Sequence, residues 1–254
     1  MSKRTKLKTF SRLSFLFKTH QSISTNKGEL LFRIDSPGSV PQDPKSNRSE
    51  PETFEWIETN LKPQEVMWDV GANIGVFSLF AALGEKNRII SLEPSAESFA
   101  TLNANIRLNK LDKHIDAFCF AGAESTQLMK LYMKDSSSGA SHNSIEGAHN
   151  QFGAFEVNGE QAIIAISLDD FANFFKMPLP DHIKLDVDGK EPEILEGATT
   201  VLQTTKSLLV EVEGKNLSEN ISRIELCLNS AGLSEDVSWR DKGSGRNRLF
   251  IREG

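Results

Sequence analysis

Three groups of residues carry the chemistry legible in this chain. The first is Asp69-Val70-Gly71-Ala72-Asn73-Ile74-Gly75, where an apolar run ends in a D-x-G-x-N-x-G turn that opens a helical pattern. Gly71 and Gly75 let backbone approach a ligand with no Cβ in the way, and the helix start after them offers unpaired N–H groups. In a doubly wound sheet such a turn lies at the carboxyl end of a central strand, where ligands bind. Its spacing is not the G-x-G-x-x-G of dinucleotide enzymes, because Asn73 replaces the second glycine, and no G-x-x-x-x-G-K-[ST] phosphate loop occurs. The second group is Glu93, which ends another apolar run 24 residues after Asp69 and precedes the strand-stopping Pro94. An acid there accepts two hydrogen bonds from a ribose diol. A nucleoside site without a phosphate loop suits S-adenosyl-L-methionine, with Asp69, Gly71, Asn73, Gly75 and Glu93 as the expected cofactor-binding residues.

The third group is Ile183-Lys184-Leu185-Asp186-Val187-Asp188-Gly189. Strand alternation puts Lys184, Asp186 and Asp188 on one side and Ile183, Leu185 and Val187 on the other, so the carboxylates converge on the rim that holds Gly71. Asp186 is a candidate partner for the methionine ammonium or for an acceptor hydroxyl. It therefore counts as both a cofactor and a catalytic candidate, with Asp188 beside it. The D-x-D-G string is not a calcium loop: with Gly189 sixth, the first position is Lys184 and the twelfth Leu195, and neither ligates calcium. No metal is expected, a carboxylate-bound magnesium with oxygens from Glu211 and Glu213 being the weaker reading. His142 and His149 accompany a polar stretch, 136–144, expected to overhang the rim. A near-neutral imidazole suits removal of a hydroxyl proton, which makes His142 the third catalytic candidate, against the commoner solvated loop histidine. His20 and His114 read as surface residues, and His182 as a residue that caps or packs.

The elements that must position these groups alternate. Strand-like runs over 65–70, 88–92, 115–121, 183–187 and 207–212 are separated by helical patterns at 75–83, 95–108, 191–202 and 221–230, with Ser95 as an N-cap. A hairpin or meander is expected over 126–133 and 161–166, and 248–251 ends the sheet. Alternation of this kind argues for an α/β domain with a mainly parallel sheet covered on both faces. Ser36 to Pro51 is rich in Ser, Pro and Asn and reads as a linker, so residues 1–50 are expected to be a basic leader plus linker, partly ordered, and 51–254 the catalytic domain.

Composition sets the outer bounds. The chain has 254 residues with a net charge of −6, yet residues 1–28 hold seven Lys/Arg and no acid, leaving 22 basic against 35 acidic residues in the remainder. An acidic body disfavours a broad nucleic-acid footprint, so no nucleic-acid partner is expected. The basic segment is read as a disordered or partly helical leader, a surface-binding amphipathic segment giving peripheral membrane contact, or an organellar transit peptide. The longest apolar stretches are far shorter than the roughly 20 residues a bilayer span needs. Two cysteines without metal-ligand spacing exclude a disulfide scaffold and fit a reducing, cytoplasmic-type compartment.

Four ordered motifs give the chain a family resemblance. Asp69 to Gly75, then Ser91-Leu92-Glu93-Pro94-Ser95 with Phe99, Leu102, Asn105 and Asn109, then Ser167-Leu168-Asp169-Asp170-Phe171, then Ile183 to Gly189 with Glu191 and Ile194-Leu195-Glu196-Gly197-Ala198, together resemble the FkbM family of S-adenosylmethionine-dependent methyltransferases. The similarity runs over about residues 60–215. It implies a class I methyltransferase (Rossmann-like) fold, with a seven-stranded sheet whose last strand is antiparallel. It also implies O-methylation of a small-molecule or glycan hydroxyl. The glycine motif would fall on Asp69, Gly71, Asn73 and Gly75, the ribose acid on Glu93 and the fourth-strand acid on Asp186. Members often carry Glu where this chain has Asp188, which keeps the charge and shortens the reach. The competing readings are a protein or nucleic-acid methyltransferase, a nicotinamide oxidoreductase and a non-catalytic module of the same fold. No N-P-P-[YF] string comes after the fourth strand, and the glycine spacing argues against nicotinamide.

Overall fold

The computed structural model describes residues 19–41, 50–84, 87–145 and 147–252. Residues 1–18 of the expected leader lie outside that set. The described chain opens with an antiparallel hairpin, β1 (Thr19–Thr25) and β2 (Gly28–Ile34). The Thr25 hydroxyl accepts from the Lys27 N–H and donates to the Gly28 carbonyl, closing the turn. Period-two alternation turns Ile23, Leu30 and Phe32 into the core. Ordered structure therefore begins ahead of the Ser/Pro-rich stretch and not after it, because a short alternating pattern inside a basic, serine-rich segment is enough once a helix covers it.

Pro51 starts α1 (Pro51–Asn60), whose Trp56 indole N–H donates to Ser207 Oγ at 2.9 Å. Then come β3 (Val66–Val70), α2 (Val76–Ala82), β4 (Arg88–Leu92), α3 (Ala96–Leu108) and β5 (Ile115–Phe118). Ser95 caps α3 as expected, accepting from the Ser98 N–H. Asn105 of α3 and its C-cap residue Asn109 face the hairpin. The Asn109 amide both accepts from Leu31 N and donates to Leu31 O, and Asn105 Oδ1 accepts from Arg33 N at 2.8 Å. Two side-chain amides one helical turn apart thus satisfy the open edge of β2, which no further strand pairs.

Past β5 the chain leaves the main sheet. Strands β6 (Ala121–Gly122), β7 (Gln127–Met133) and β10 (Gly159–Ile166) form a small sheet in the order β6-β10-β7, and β8 (His149–Asn150) with β9 (Gly153–Ala154) forms a short ribbon between them. The expected 115–121 strand is therefore two strands: it stops at Phe118, and Ala121 pairs with Ala165 in the small sheet. Next come α4 (Leu168–Phe175), β11 (His182–Leu185), α5 (Glu191–Glu196), α6 (Thr199–Leu202), β12 (Ser207–Glu211), α7 (Leu217–Ser230), β13 (Leu233–Glu235) and β14 (Asn247–Arg252). The single helix expected over 191–202 is broken at Gly197. That glycine presses against the carbonyls of Ala123 and Glu124, where a Cβ would lie at 2.7 and 2.5 Å. Asp169 then caps the new helix start from outside, its carboxylate accepting from Thr200 N and Val201 N.

The main sheet has seven strands in the order β13-β14-β12-β11-β3-β4-β5, with β14 antiparallel to both its neighbours and the rest mutually parallel. This is the class I methyltransferase arrangement. Alternating residues feed two cores. Trp68, Val70, Ile90 and Leu92 pack under α4 to α7, whereas Met67, Ile89 and Leu209 pack under the hairpin and α1 to α3. The chain winds outward from β3 through β4 to β5 and returns to β11 on the other side, so a crevice opens between the carboxyl ends of β3 and β11. Among the described residues no helix is long and apolar enough to cross a membrane. If the hairpin is part of the core, Phe32→Ala should cost about 3–5 kcal/mol in denaturant unfolding. An unchanged midpoint would return residues 19–34 to the status of a loose leader.

Candidate active site

The β3–α2 turn is shaped by where its glycines sit. Gly71 has a φ of 88°, and a Cβ built on it would lie 1.8 Å from the Asp186 carbonyl oxygen, so only glycine lets the ends of β3 and β11 come this close. The N–H groups of Gly71 and Ala72 both donate to Leu92 O, at 2.9 and 3.0 Å, which ties the turn to the end of β4. Gly75, φ 90°, faces Leu102 at 2.3 Å from a notional Cβ and serves helix packing. Asn105 Nδ2 donates to Ile74 O, so the helix that holds the hairpin also holds this turn.

Glu93 lies at the end of β4 with 7% of its surface exposed. Its two oxygens accept from different backbone donors, Oε2 from Asn73 N and Oε1 from Ser95 N, both at 2.8 Å. Each oxygen keeps a lone pair for a further donor. Burial, partly offset by those two N–H groups, pushes this carboxyl up to about 7. Asn73 itself stands at φ 51°, with its side-chain Oδ1 buried and unpartnered.

Across the crevice, Lys184 is 2% exposed and its ammonium sits 2.8 Å from Asp186 Oδ2. Burial opposes ionisation of Asp186, but the Lys184 charge and hydrogen bond outweigh it and hold the carboxyl below its ordinary range. Glu211 meets the opposite fate. Burial and the neighbouring Asp186 charge push it up to about 10, so at neutral pH it keeps a proton and donates it to Asp186. Arg246 spans Glu211, Glu50 and Glu213 at 2.9, 3.2 and 3.3 Å. Asp69, the strand neighbour of Lys184 in this network, is buried, accepts from the Ser78 hydroxyl and is raised by desolvation.

The third corner comes from the insertion between β7 and β10. His142, at φ 65°, donates its backbone N–H to Asp188 Oδ2 at 2.6 Å, and its ring Nδ1 lies 3.1 Å from Asp188 Oδ1. The hydrogen bond to Asp188 raises the imidazole above its usual value despite partial burial. Phe152 packs edge-on against the ring at 5.0 Å. Gln151 Nε2 reaches both Asp188 Oδ1 and Glu213 Oε1, at 3.2 and 3.3 Å.

These groups surround two cavities. One, of about 520 Å³, is walled by Gly71, Asn73, Glu93, Phe120, Ala121 and Asp186 among others. The second, of about 370 Å³, has Phe54, Phe77, Lys184, Glu211, Glu213 and Arg246 in its wall, and His142. Gly71, Asn73, Ser141, Asp186 and Asp188 belong to both walls and form the seam between them. Of the residues singled out in the sequence, Gly71, Asn73, Glu93, Asp186, Asp188 and His142 meet here. His149 lines the first cavity, while Asp69 and Gly75 stand behind the wall and shape it. Two trios of potential metal ligands also come together, Glu50–Asp186–Glu211 and His142–Asp188–Glu213, each with its ligand atoms within 4.8 Å. In the first, Lys184 and Arg246 already act as counter-ions. Glu50, Arg246 and Gln151 carry no local signal in the sequence, since only the fold brings them to the rim.

The model of the methyltransferase FkbM domain matches residues 69–233, which span the glycine turn, Glu93 and the Asp186–Asp188 rim. The chain belongs to the FkbM methyltransferase family. The hexuronic acid methyltransferase AglP of Haloferax volcanii is 27% identical over 197 residues, covering 76% of each chain. The 31-O-demethyl-FK506 methyltransferase FkbM of Streptomyces tacrolimicus is 34% identical over 73 residues, 28% of each. Among solved structures, a SAM dependent methyltransferase from Agrobacterium tumefaciens aligns with a TM-score of 0.49 at 12% identity, covering 92% of this chain and 70% of that one. In this FkbM-family chain the Glu93 carboxyl should titrate near pH 7 by carbon-detected NMR. Because its folded value lies above the ordinary 4.5, its stabilising contribution is complete below that value and is lost as pH rises through about 7. A midpoint below 5 would contradict the burial that defines the site.

Proposed function

We propose that this FkbM-family protein transfers a methyl group from S-adenosyl-L-methionine to a hydroxyl of a sugar, glycan or other natural product. The observation that carries the reading is the seam: two cavities of different character that touch at Gly71, Asn73, Asp186 and Asp188. One suits a nucleoside and the other an acceptor. The residues present fit the donor molecule. Gly71 lines the first cavity as bare backbone, Glu93 keeps acceptor capacity for a ribose diol, and the unpartnered Asn73 Oδ1 awaits a donor. Asp186, kept ionised by Lys184, suits an ammonium group. The donor supplies an electrophilic methyl carbon on a sulfonium.

The protein's part is to hold the acceptor oxygen in line with that carbon, keep water out and take a proton. With Nδ1–H donated to Asp188, the imidazole of His142 presents Nε2 as the basic nitrogen, and Asp188 stabilises the charge that develops when the proton arrives. The shorter Asp at position 188 fits this pairing, since it engages both the backbone N–H and the ring of His142. The names of the two relatives, one acting on a hexuronic acid and one on a demethylated FK506, favour an oxygen acceptor on a sugar or natural product.

Comparing the metabolites and glycans of cells with and without the gene for a one-methylene mass difference would identify the acceptor. With it in hand, Glu93→Ala should weaken S-adenosylhomocysteine binding in calorimetry by about tenfold or more, as expected for a lost charged hydrogen-bond acceptor. Unchanged affinity would remove Glu93 from the site. His142→Ala should leave that affinity intact and lower the single-turnover rate by about 10²–10⁴-fold. It should also abolish a rate increase seen in the parent enzyme as pH rises through the His142 value. A parent profile without that limb would exclude the histidine as base.

A further inference from the structure

Resting on the base assignment above, we propose that Glu191 is a positioning residue for the methyl transfer, its buried carboxylate holding the 187–189 loop in the shape that aims Asp188 at His142. Strand β11 gives out just ahead of this loop. It ends at Leu185, and Asp186 N still donates to Val70 O at 3.0 Å. Beyond it the backbone turns left-handed twice in succession, with Asp188 at φ 62° and Gly189 at φ 96°. Glycine adopts that conformation freely, whereas a residue with a Cβ keeps it only where its surroundings impose it.

Glu191, the first residue of α5 and 4% exposed, supplies that constraint. Its Oε1 accepts from Val187 N at 3.1 Å and from Gly189 N at 3.2 Å, so one oxygen ties down the residues on both sides of Asp188. Backbone N–H groups gathered on one anion in this way form a nest. Burial pushes the carboxyl up to about 7 against the opposing pull of those N–H groups, a penalty that an apolar side chain would avoid. Glu191 lines neither cavity and acts through its neighbour.

What it holds is the partner of the proposed base. Asp188 meets His142 twice, Oδ2 accepting from the backbone N–H at 2.6 Å and Oδ1 lying 3.1 Å from ring Nδ1, and both contacts need the carboxylate to leave the loop in one direction. Asp186, two residues earlier, is fixed independently by the sheet and by Lys184. Releasing Glu191 therefore loosens the aspartate beside the base and leaves the one that faces the cofactor in place. A misplacement of about 1 Å in such a pair can lower a rate by about 10²-fold.

The test reads the His142 ring by nitrogen NMR in the full chain loaded with S-adenosylhomocysteine, with His142→Gln assigning the signals. At about two pH units above its titration midpoint the parent ring should carry its proton on Nδ1, the nitrogen that donates to Asp188. Glu191→Ala and Glu191→Asp should shift that proton largely to Nε2. Glu191→Gln, whose side-chain oxygen can accept the same two N–H groups, should keep the parent pattern. The readout follows the hydrogen bond and not net charge, so Glu213 and Lys134, whose charges also reach the ring, do not imitate it. S-adenosylhomocysteine affinity should stay within about threefold of the parent in all three variants. With the acceptor identified, Glu191→Ala should lower the single-turnover rate at least about tenfold, but by less than about twofold when residue 142 is already alanine. An unchanged ring in either folded variant, or a Gln variant that behaves like Ala, overturns the inference. So does loss of S-adenosylhomocysteine binding in both the Ala and Asp variants, which would assign Glu191 to the fold alone. A parent chain that binds no S-adenosylhomocysteine, or whose ring is protonated on Nε2, sinks the reading on which the inference rests, whereas an equal fall in rate with and without His142 sinks only the role of Glu191.

Discussion

The ends of β3 and β11 approach until backbone touches backbone, and Gly71 is the residue that permits it, since a methyl group there would overlap the Asp186 carbonyl at 1.8 Å. Most of the site's geometry is a consequence of that contact. It sets the glycine turn against the β11 rim, brings Leu92 O within reach of two turn N–H groups, and through Asn73 N connects the turn to Glu93. Asn105 then couples the same turn to the N-terminal hairpin by bonding Ile74 O on one side and Arg33 N on the other. A site assembled this way is held by the strand ends and by the hairpin and α3 behind them, which is what holding a reacting geometry requires.

Beneath the rim lies a buried charge network whose members are unequal. Lys184 carries the positive charge into the core and is faced by Asp69 and Asp186, with Phe77 under its ammonium at 4.9 Å. Because Asp186 is held ionised, Glu211 beside it holds a proton. Buried ion pairs add little net stability, and removing one partner leaves a costly unpaired charge. The network is better understood as a device for placing one ionised carboxylate at the seam and keeping a second one neutral. Two further carboxylates, Asp188 and Glu213, at 23% and 17% side-chain exposure, are bridged by Gln151.

Much of this was legible in the chain because it is local. The glycine turn, the acid that ends β4 and the alternation of Lys184 with Asp186 each lie within one strand and its exit, where period and turn chemistry speak directly, whereas β11 ends at Leu185 and Asp188, at φ 62°, is placed by the loop and not by strand alternation. The mainly parallel sheet came from strand–helix alternation, and its seven strands with an antiparallel last one from the family resemblance. What was hidden depended on packing. Alternation put Asp69 on the face of Met67 but could not reveal that α2 would cover it and supply Ser78. Gly197 breaks a helix because carbonyls from Ala123 and Glu124 press on it, and no helical propensity records that. Glu50 and Arg246 meet across 196 residues of sequence. The hairpin over 19–34 looked like leader because its core-facing residues number only a few among serines and basic side chains, and its edge is satisfied by asparagines on α3.

Central to the proposed function is a single nucleoside-binding cradle made by the Gly71 turn and Glu93, with the reactive end of the ligand at the seam. A crystal structure of the full chain with S-adenosylhomocysteine tests that directly. The expected result is a ribose whose hydroxyls contact both Glu93 oxygens, with the homocysteine portion passing Gly71 toward Asp186. Ligand density elsewhere, or Glu93 turned into the core with its place filled by packed side chains, would contradict it.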